Sequence, residues 1–329
     1  MSERVLITGA SGFVGYHLVN AALQNNFEVF AAVRKTSKID HLKEFSIQYC
    51  YPDFKNVDAL KAELEKHQFS YIIHAAGITA AKNEQEYNTI NAQYTYNLAL
   101  AASQADIPLK KFVFLSSLAG MGPLPTTEGV ITEDTPPAPV TAYGKSKLLA
   151  EHMLAPLTSL PLITLRPTAV YGPRDEGIFI ILKTFAKGFE PYIGKAPQQL
   201  SFVYVKDLAA VTLQALQSDI IQKTYNVSDG KACDRYELAR LTKKILNKKT
   251  LKIHLPVGII RILAGFMERM YAKSTKSPAL NTEKLSELTA ANWICSIEDV
   301  SRDLNYLPKY DLERGLTESL QWYKTNHLL

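Results

Sequence analysis

The chain has 329 residues, of which 47% are hydrophobic and 21% charged, with a formal charge of +5. That is enough apolar material for one large domain, or for a domain with a smaller lobe. Cys50, Cys233 and Cys295 lie far apart without CxxC spacing, and the seven histidines are scattered, which excludes a disulfide framework and a zinc site and points to a reducing, cytoplasmic setting with no catalytic metal.

The opening run Val5–Ile7 reads as a short apolar strand, followed by Gly9, Gly12 and Gly15 and then a helical pattern over 13–24. No basic stretch with a long apolar run precedes it, so no signal peptide is read. Glycines at this spacing between strand and helix permit a tight turn, a close backbone approach and helix–strand packing. Free N–H groups at the helix start then suit a pyrophosphate. The candidate contacts are Gly9, Ser11, Gly12, Phe13, Val14 and Gly15.

The second strand, Val29–Val33, runs into Arg34, Lys35 and Lys38, with no Asp or Glu between Phe30 and Lys38. A carboxylate at this place would hold the ribose hydroxyls of NAD, whereas a guanidinium pairs with a 2′-phosphate. The expected cofactor is NADP(H), with Arg34 as the main contact and NAD(H) as the second choice. The alternative is that these are solvated loop charges.

Further strands at Tyr71–Ala75, Phe112–Leu115 and Ile163–Arg166 alternate with helical stretches at 57–67, 86–105 and 142–156. Strands interleaved with helices of this length predict a Rossmann-type α/β fold, a doubly wound parallel sheet. The two proline clusters within 122–143 read as a stiffened surface loop near the carboxyl ends of the strands. Directly after that loop, Tyr143 and Lys147 stand one helical turn apart on one face. A phenol with a pKa of about 10 is a poor base near neutral pH, and a neighbouring ammonium favours its ionised form. The bland alternative is an ordinary amphipathic helix.

After Gly172 the pattern changes. Strand candidates at 201–205, 223–227 and 250–255 mix with helices near 206–217, 235–246, 257–272 and 310–325. The expected organisation is a dinucleotide-binding domain over 1–172 and a smaller, mainly substrate-binding lobe over 173–329, interleaved with the end of the sheet. Lys243, Lys244, Lys248 and Lys249 share their segment with Glu237, a solvated face rather than a nucleic-acid groove. In 255–273, Ile259, Ile262, Leu263, Phe266, Met267 and Met270 recur at helical spacing, interrupted by Arg261, Glu268 and Arg269. This amphipathic helix is too polar to span a bilayer. It packs on the core, covers substrate or touches lipid peripherally.

With "TGASGFVG" (8–15) and "YGKSK" (143–147) together, the chain resembles the extended short-chain dehydrogenase/reductases, the NAD(P)-dependent epimerase/dehydratase family. The likeness covers almost the whole length and includes "YPDF" (51–54), "IIHAAG" (72–77), "NTINAQYTYNL" (88–98), "FVFLSS" (112–117), "LRPTAVYGPRD" (165–175) and "FVYVKDLAAV" (202–211). It implies an enzyme in which Tyr143 is the acid/base and Lys147 lies near it and bonds the nicotinamide ribose. Ser117 donates to the substrate oxygen, with its neighbour Ser116 as the second candidate and a cofactor contact. It further implies that Asp53 and Phe54 meet the adenine, that Ala75, Ala76 and Gly77 line the cofactor, and that Asn91 supports the active-site helix. Pro167 and Val170 approach the nicotinamide, and Asp207 is a structural helix-start residue.

Substrate is less legible. Nucleotide-sugar members commonly carry Asn at the position of Ala169, and "GMG" (120–122) replaces their "VYG", leaving an apolar patch around Met121. The resemblance leans to the 3β-hydroxysteroid dehydrogenase-like and dihydroflavonol reductase-like branches, hence hydride transfer on a secondary alcohol or ketone of a hydrophobic small molecule. A nucleotide-sugar epimerase or dehydratase, with Arg166, Arg174 or Arg235 holding an anion, is the alternative. A non-catalytic NADP(H) sensor is the third reading. A homodimer through helices 86–105 and 142–156 is expected.

Overall fold

The protein, as a computed structural model, is described over residues 3–271 and 281–329. Its centre is a parallel sheet of seven strands: β1 (Arg4–Thr8), β2 (Glu28–Ala32), β3 (Gln48–Cys50), β4 (Tyr71–His74), β5 (Lys111–Leu115), β6 (Leu162–Pro167) and β7 (Lys223–Val227). They lie side by side in the order β7-β6-β5-β4-β1-β2-β3. The order reverses between β1 and β4, and in sheets of this kind ligands bind in the crevice above the carboxyl ends of the strands at that point.

The helices used below are α1 (Phe13–Gln24), α2 (Val57–His67), α3 (Tyr94–Gln104), α4 (Ala142–Leu154), α5 (Val205–Gln217), α6 (Val257–Tyr271) and α7 (Thr282–Thr289). Alternate residues of each strand face opposite ways. Val5, Ile7, Ile73, Val113 and Leu165 pack under Leu18 and Val19 of α1 and Leu208 and Val211 of α5. Leu6, Phe30, Ile72, Phe112 and Phe114 pack under Leu60 of α2, Leu98 of α3 and Leu154 of α4. Burial on both faces explains why these strands read as unbroken apolar runs. Each large side chain so buried contributes about 1.5–3 kcal/mol.

Several elements depart from the sequence reading. The stretch 86–105, expected as one helix, is a short helix (Glu84–Tyr87), a π-helical turn (Asn88–Gln93) and α3. Strand β3 was not anticipated because only three edge residues make it. The helix Gly177–Ala186 also escaped, since "GIFIILKTFA" is apolar almost all round and carries little helical period. Of the segment 255–273 and the helix expected over 257–272, residues 272 and 273 lie outside the described residues.

Beyond β6, short strand pairs (Ala169–Tyr171 with Phe202–Tyr204, Phe189–Ile193 with Leu251–Leu255) join a second core built on Tyr171, Phe185, Tyr204 and Tyr323. Asp207 lies in the first turn of α5. It accepts the backbone N–H of Lys309 (3.0 Å) and Tyr310 (2.9 Å), tying the C-terminal segment to that helix. The proline loop is pinned from outside: Leu124 N–H donates to Asn292 O (3.0 Å) and Ile131 N–H to Ile294 O (2.9 Å).

Candidate active site

The loop after β1 can only be built with glycine. Gly9 has φ +69°, and a Cβ there would stand 2.7 Å from Ala75 O and 2.8 Å from Ala76 N. A Cβ on Gly15 would fall 2.0 Å from Gly9 O. Gly12 is exposed and precedes α1 without a side-chain cap, so the first N–H groups of that helix have no partner within the helix. The residues present therefore fit a diphosphate: a shallow backbone cradle that any Cβ would fill, at the positive end of a helix dipole.

Beneath this cradle runs a relay the sequence reading missed. Ala76 N–H donates to Thr8 Oγ1 (3.1 Å), which lies 2.8 Å from His74 Nδ1, and His74 Nε2 lies 2.9 Å from Thr95 Oγ1. Thr95 gives its own proton to Asn91 O (2.7 Å). Thr95 must therefore accept from Nε2–H, which leaves Nδ1 to accept from Thr8. Burial pushes the His74 pKa down to about 3, so the ring stays neutral and the relay keeps one direction. The available signal was a single polar residue at the end of an otherwise apolar strand.

Asn91 joins this relay to α4. Its Oδ1 accepts from Ile78 N–H (2.8 Å), while its Nδ2 donates to Ile78 O (3.0 Å) and Ser146 Oγ (3.0 Å). Those bonds hold the π turn, which carries the extra residue per turn that aims Asn91 inward. A Cβ on Gly77 would stand 3.1 Å from Asn91 Oδ1 and 3.7 Å from Lys147 Nζ. The end of β4, the π turn and α4 thus meet at one point.

Helix α4 begins with Thr141 capping Gly144 N–H (3.0 Å). Tyr143, half-buried in its first turn, meets the Tyr87 ring edge-on with centroids 6.2 Å apart. Burial pushes its phenol up to about 12, and the hydrogen bond from Ser117 pulls the other way. Lys147 is buried one turn on, donates to Leu115 O (2.7 Å) and lies 4.7 Å from the Phe114 ring centre. Burial pushes its pKa down to about 8 against the opposing charge of Glu151.

The two serines part ways because successive residues leaving β5 point to opposite sides. Ser117 is half-buried beside Tyr143. Ser116 is buried and donates to Glu151, so its side chain turns away from the crevice, which corrects its assignment as a second candidate. Glu151 also holds Arg166 in an ion pair (Nη2–Oε2 2.5 Å). Arg166 Nε and Nη2 are therefore taken up by this pair. Arg174 (φ +75°) lies over the Tyr16 ring at 4.0 Å, and Arg235 donates to Ala196 O (2.5 Å) and Ile193 O (2.9 Å). All three anion candidates are thus held by the protein, although Arg166 Nη1 and Arg235 Nε are buried without a hydrogen-bond partner among the described residues. Met121 is also corrected: it is buried against Leu118, Ile131 and Cys295 and presents no open patch.

The remaining candidates lie around the crevice. Arg34, Lys35 and Lys38 are exposed after β2, and among the described residues none makes an ion pair. Asp53 is exposed and accepts from Lys55 N–H (3.1 Å), while Phe54 stacks on Tyr94 with centroids 6.5 Å apart. Pro167 is buried at the end of β6, and Val170 is half-buried in the short strand that follows.

The model of the NAD dependent epimerase/dehydratase family matches residues 5–228. An N-acetyl-alpha-D-glucosaminyl-diphospho-ditrans,octacis-undecaprenol 4-epimerase of Escherichia coli O157:H7 is 26% identical, covering 98% of this chain and 96% of that protein. The decarboxylating sterol-4-alpha-carboxylate 3-dehydrogenase of Candida albicans is 25% identical, covering 97% of each. The crystal structure of UDP-glucuronic acid 4-epimerase from Bacillus cereus in complex with NAD superposes with a TM-score of 0.77 at 25% identity, over 98% of this chain and 99% of that one. The family match spans the sheet, the glycine loop and the Tyr143–Lys147 helix, and the chain belongs to the NAD dependent epimerase/dehydratase family.

Proposed function

We propose that the chain is an NADP(H)-dependent oxidoreductase that moves a hydride between the nicotinamide and a secondary alcohol or ketone on a hydrophobic substrate. The observation that carries this reading is the Ser117 hydrogen bond to Tyr143, with Lys147 one helical turn further on, bonded to Leu115 O and beside Gly77 at the end of β4. The bound coenzyme would supply or accept the hydride. Gly9, Ser11, Gly12, Phe13, Val14 and Gly15 would hold its diphosphate, Arg34 with Lys35 and Lys38 its 2′-phosphate, and Asp53 and Phe54 its adenine.

In reduction the Tyr143 hydroxyl gives its proton to the carbonyl oxygen as that oxygen gains negative charge, while Ser117 donates to the same atom. A phenol held near 12 is fully protonated at neutral pH, which suits this direction. In oxidation Tyr143 must first lose that proton, and the Lys147 ammonium, one helical turn on, would favour the phenolate. Retention of both residues argues against a cofactor sensor.

For the substrate, Ala169 is exposed and offers only a methyl group, and two relatives carry a sterol and an undecaprenol in their names. A nucleotide-sugar epimerase or dehydratase is the second reading, favoured by the UDP-glucuronic acid 4-epimerase likeness. Purified protein is to be given NADPH and a panel of apolar ketones. Steady loss of reduced-coenzyme absorbance supports the first reading. Tightly retained coenzyme with no net consumption, and turnover of a nucleotide sugar, supports the second.

A further inference from the structure

Helix α6 turns its apolar side outward. Ile260 and Ala264 are buried, at 8% and 0% exposure, whereas Ile259 is 62%, Ile262 76%, Leu263 47%, Phe266 59% and Met270 64% exposed. At about 100° per residue these five cover a sector about 100° wide, centred about 130° round the helix from the Ile260–Ala264 contact. A surface helix of a globular protein ordinarily shows the reverse. A Cβ on Gly258 or Gly265 would meet nothing within 4 Å, so the flank of the sector is open as well.

The strand before α6 extends this surface. Its register sets Leu251 beside Phe189 and Leu255 beside Ile193 on one side of a two-stranded ribbon, and Leu251 (62%) and Phe189 (51%) are exposed there. Around it the charge is mainly positive. Between Asn247 and Tyr271 the chain carries Lys248, Lys249, Lys252, Arg261 and Arg269 against the single carboxylate Glu268. Glu268 is engaged, accepting from Thr282 N–H and Oγ1 at 2.8 Å each. Among the described residues Lys248, Lys249, Arg261 and Arg269 have no ion-pair partner.

We propose that α6 is an interfacial helix that seats the protein on an anionic lipid bilayer. Its apolar sector enters the headgroup–acyl boundary, and Lys248, Lys249, Arg261 and Arg269 meet the phosphates. The rim charge favours this occupant: with five cations against one carboxylate between Asn247 and Tyr271, a second copy would bring mostly like charges together. The helix has 15 residues, about 22 Å of length, too short to cross the ~30 Å hydrocarbon core. Among the described residues no helix is long and apolar enough to do so. Helix α6 packs on α7, where Glu283 accepts the N–H of Ala142 (2.9 Å), the residue before Tyr143. Attachment would therefore place the bilayer beside the candidate site. Binding to lipid needs no turnover, so this inference and the proposed chemistry fail separately.

The full chain is to be sedimented with vesicles of equal phosphatidylglycerol and phosphatidylcholine, and with phosphatidylcholine vesicles alone. The anionic vesicles are expected to capture it at least tenfold better, with most of the difference lost in 0.5 M salt. Ile262→Glu with Phe266→Glu should reduce capture tenfold or more, and Arg261→Glu with Arg269→Glu should remove the preference for anionic lipid. Leu307→Glu, at an exposed apolar residue outside this segment, should change neither. Equal capture by both vesicle types, or undiminished capture of the Ile262/Phe266 variant, would overturn the proposal. So would a dimer in velocity sedimentation that the same variant converts to monomer while vesicles bind neither protein.

Discussion

Lys147 sets function against stability, and Lys147→Met separates the two. The ammonium is buried with one hydrogen bond, to Leu115 O, and burial lowers its pKa from 10.5 to about 8. Between those values the unfolded chain binds more protons than the folded one, so wild-type stability rises with pH in that window. Below it the buried charge costs about 3 kcal/mol. Methionine keeps the unbranched length and removes the charge, while losing the bond to Leu115 O costs about 1 kcal/mol. The variant should therefore be about 2 kcal/mol more stable than wild type at pH 7, with the gain shrinking as pH rises from about 8 towards 10.5. Urea melts at pH 7 and pH 10 measure this directly. Turnover should fall at least tenfold in the same variant, and wild-type reduction should slow as pH passes about 8. A Met variant less stable than wild type at pH 7, or a gain independent of pH, would refute the reasoning.

Arg34→Asp removes the proposed charge-assisted bond to a 2′-phosphate, worth about 1.5–3 kcal/mol, and adds repulsion. NADPH affinity, read by fluorescence titration, should fall at least tenfold and the coenzyme preference should reverse. Equal NADPH and NADH affinities in the unmutated protein would defeat that assignment. Gly15→Ala sets a methyl against the Gly9 carbonyl, so a denaturant melt should show a loss of about 1–3 kcal/mol, with weaker coenzyme binding. An unchanged melt and affinity would mean that the loop accommodates a Cβ. Glu151→Leu leaves Arg166 buried without its partner and should cost about 3–5 kcal/mol; a loss below about 1 kcal/mol would show that the pair is not desolvated.

Local spacing carried the parts of the site that were legible in the sequence. The Gly9–Gly15 contact is set within seven residues, although the close approach of Gly9 to Ala75 and Ala76 is not, and Tyr143 and Lys147 share a face because a helix turns in 3.6 residues. What escaped depends on residues far apart in the chain. The His74 relay joins Thr8, His74 and Thr95 across three elements. Arg166 looked like a free cation because Glu151, its partner, is reached only once α4 lies over β6. Met121 looked like an open patch until the proline loop folded over it and Ile131 and Cys295 closed around it. In α6 the period gave a stripe, but not the side of the helix that meets the protein.

The central claim is that the Tyr143 hydroxyl is the proton donor and acceptor. Tyr143→Phe deletes that one oxygen and leaves the ring against Tyr87, so coenzyme affinity and melting should stay near wild type. The decisive measurement is turnover of a substrate identified in the ketone panel, at saturating NADPH. The account predicts a fall of about 10²–10⁴-fold; a variant that turns over at the wild-type rate would contradict it.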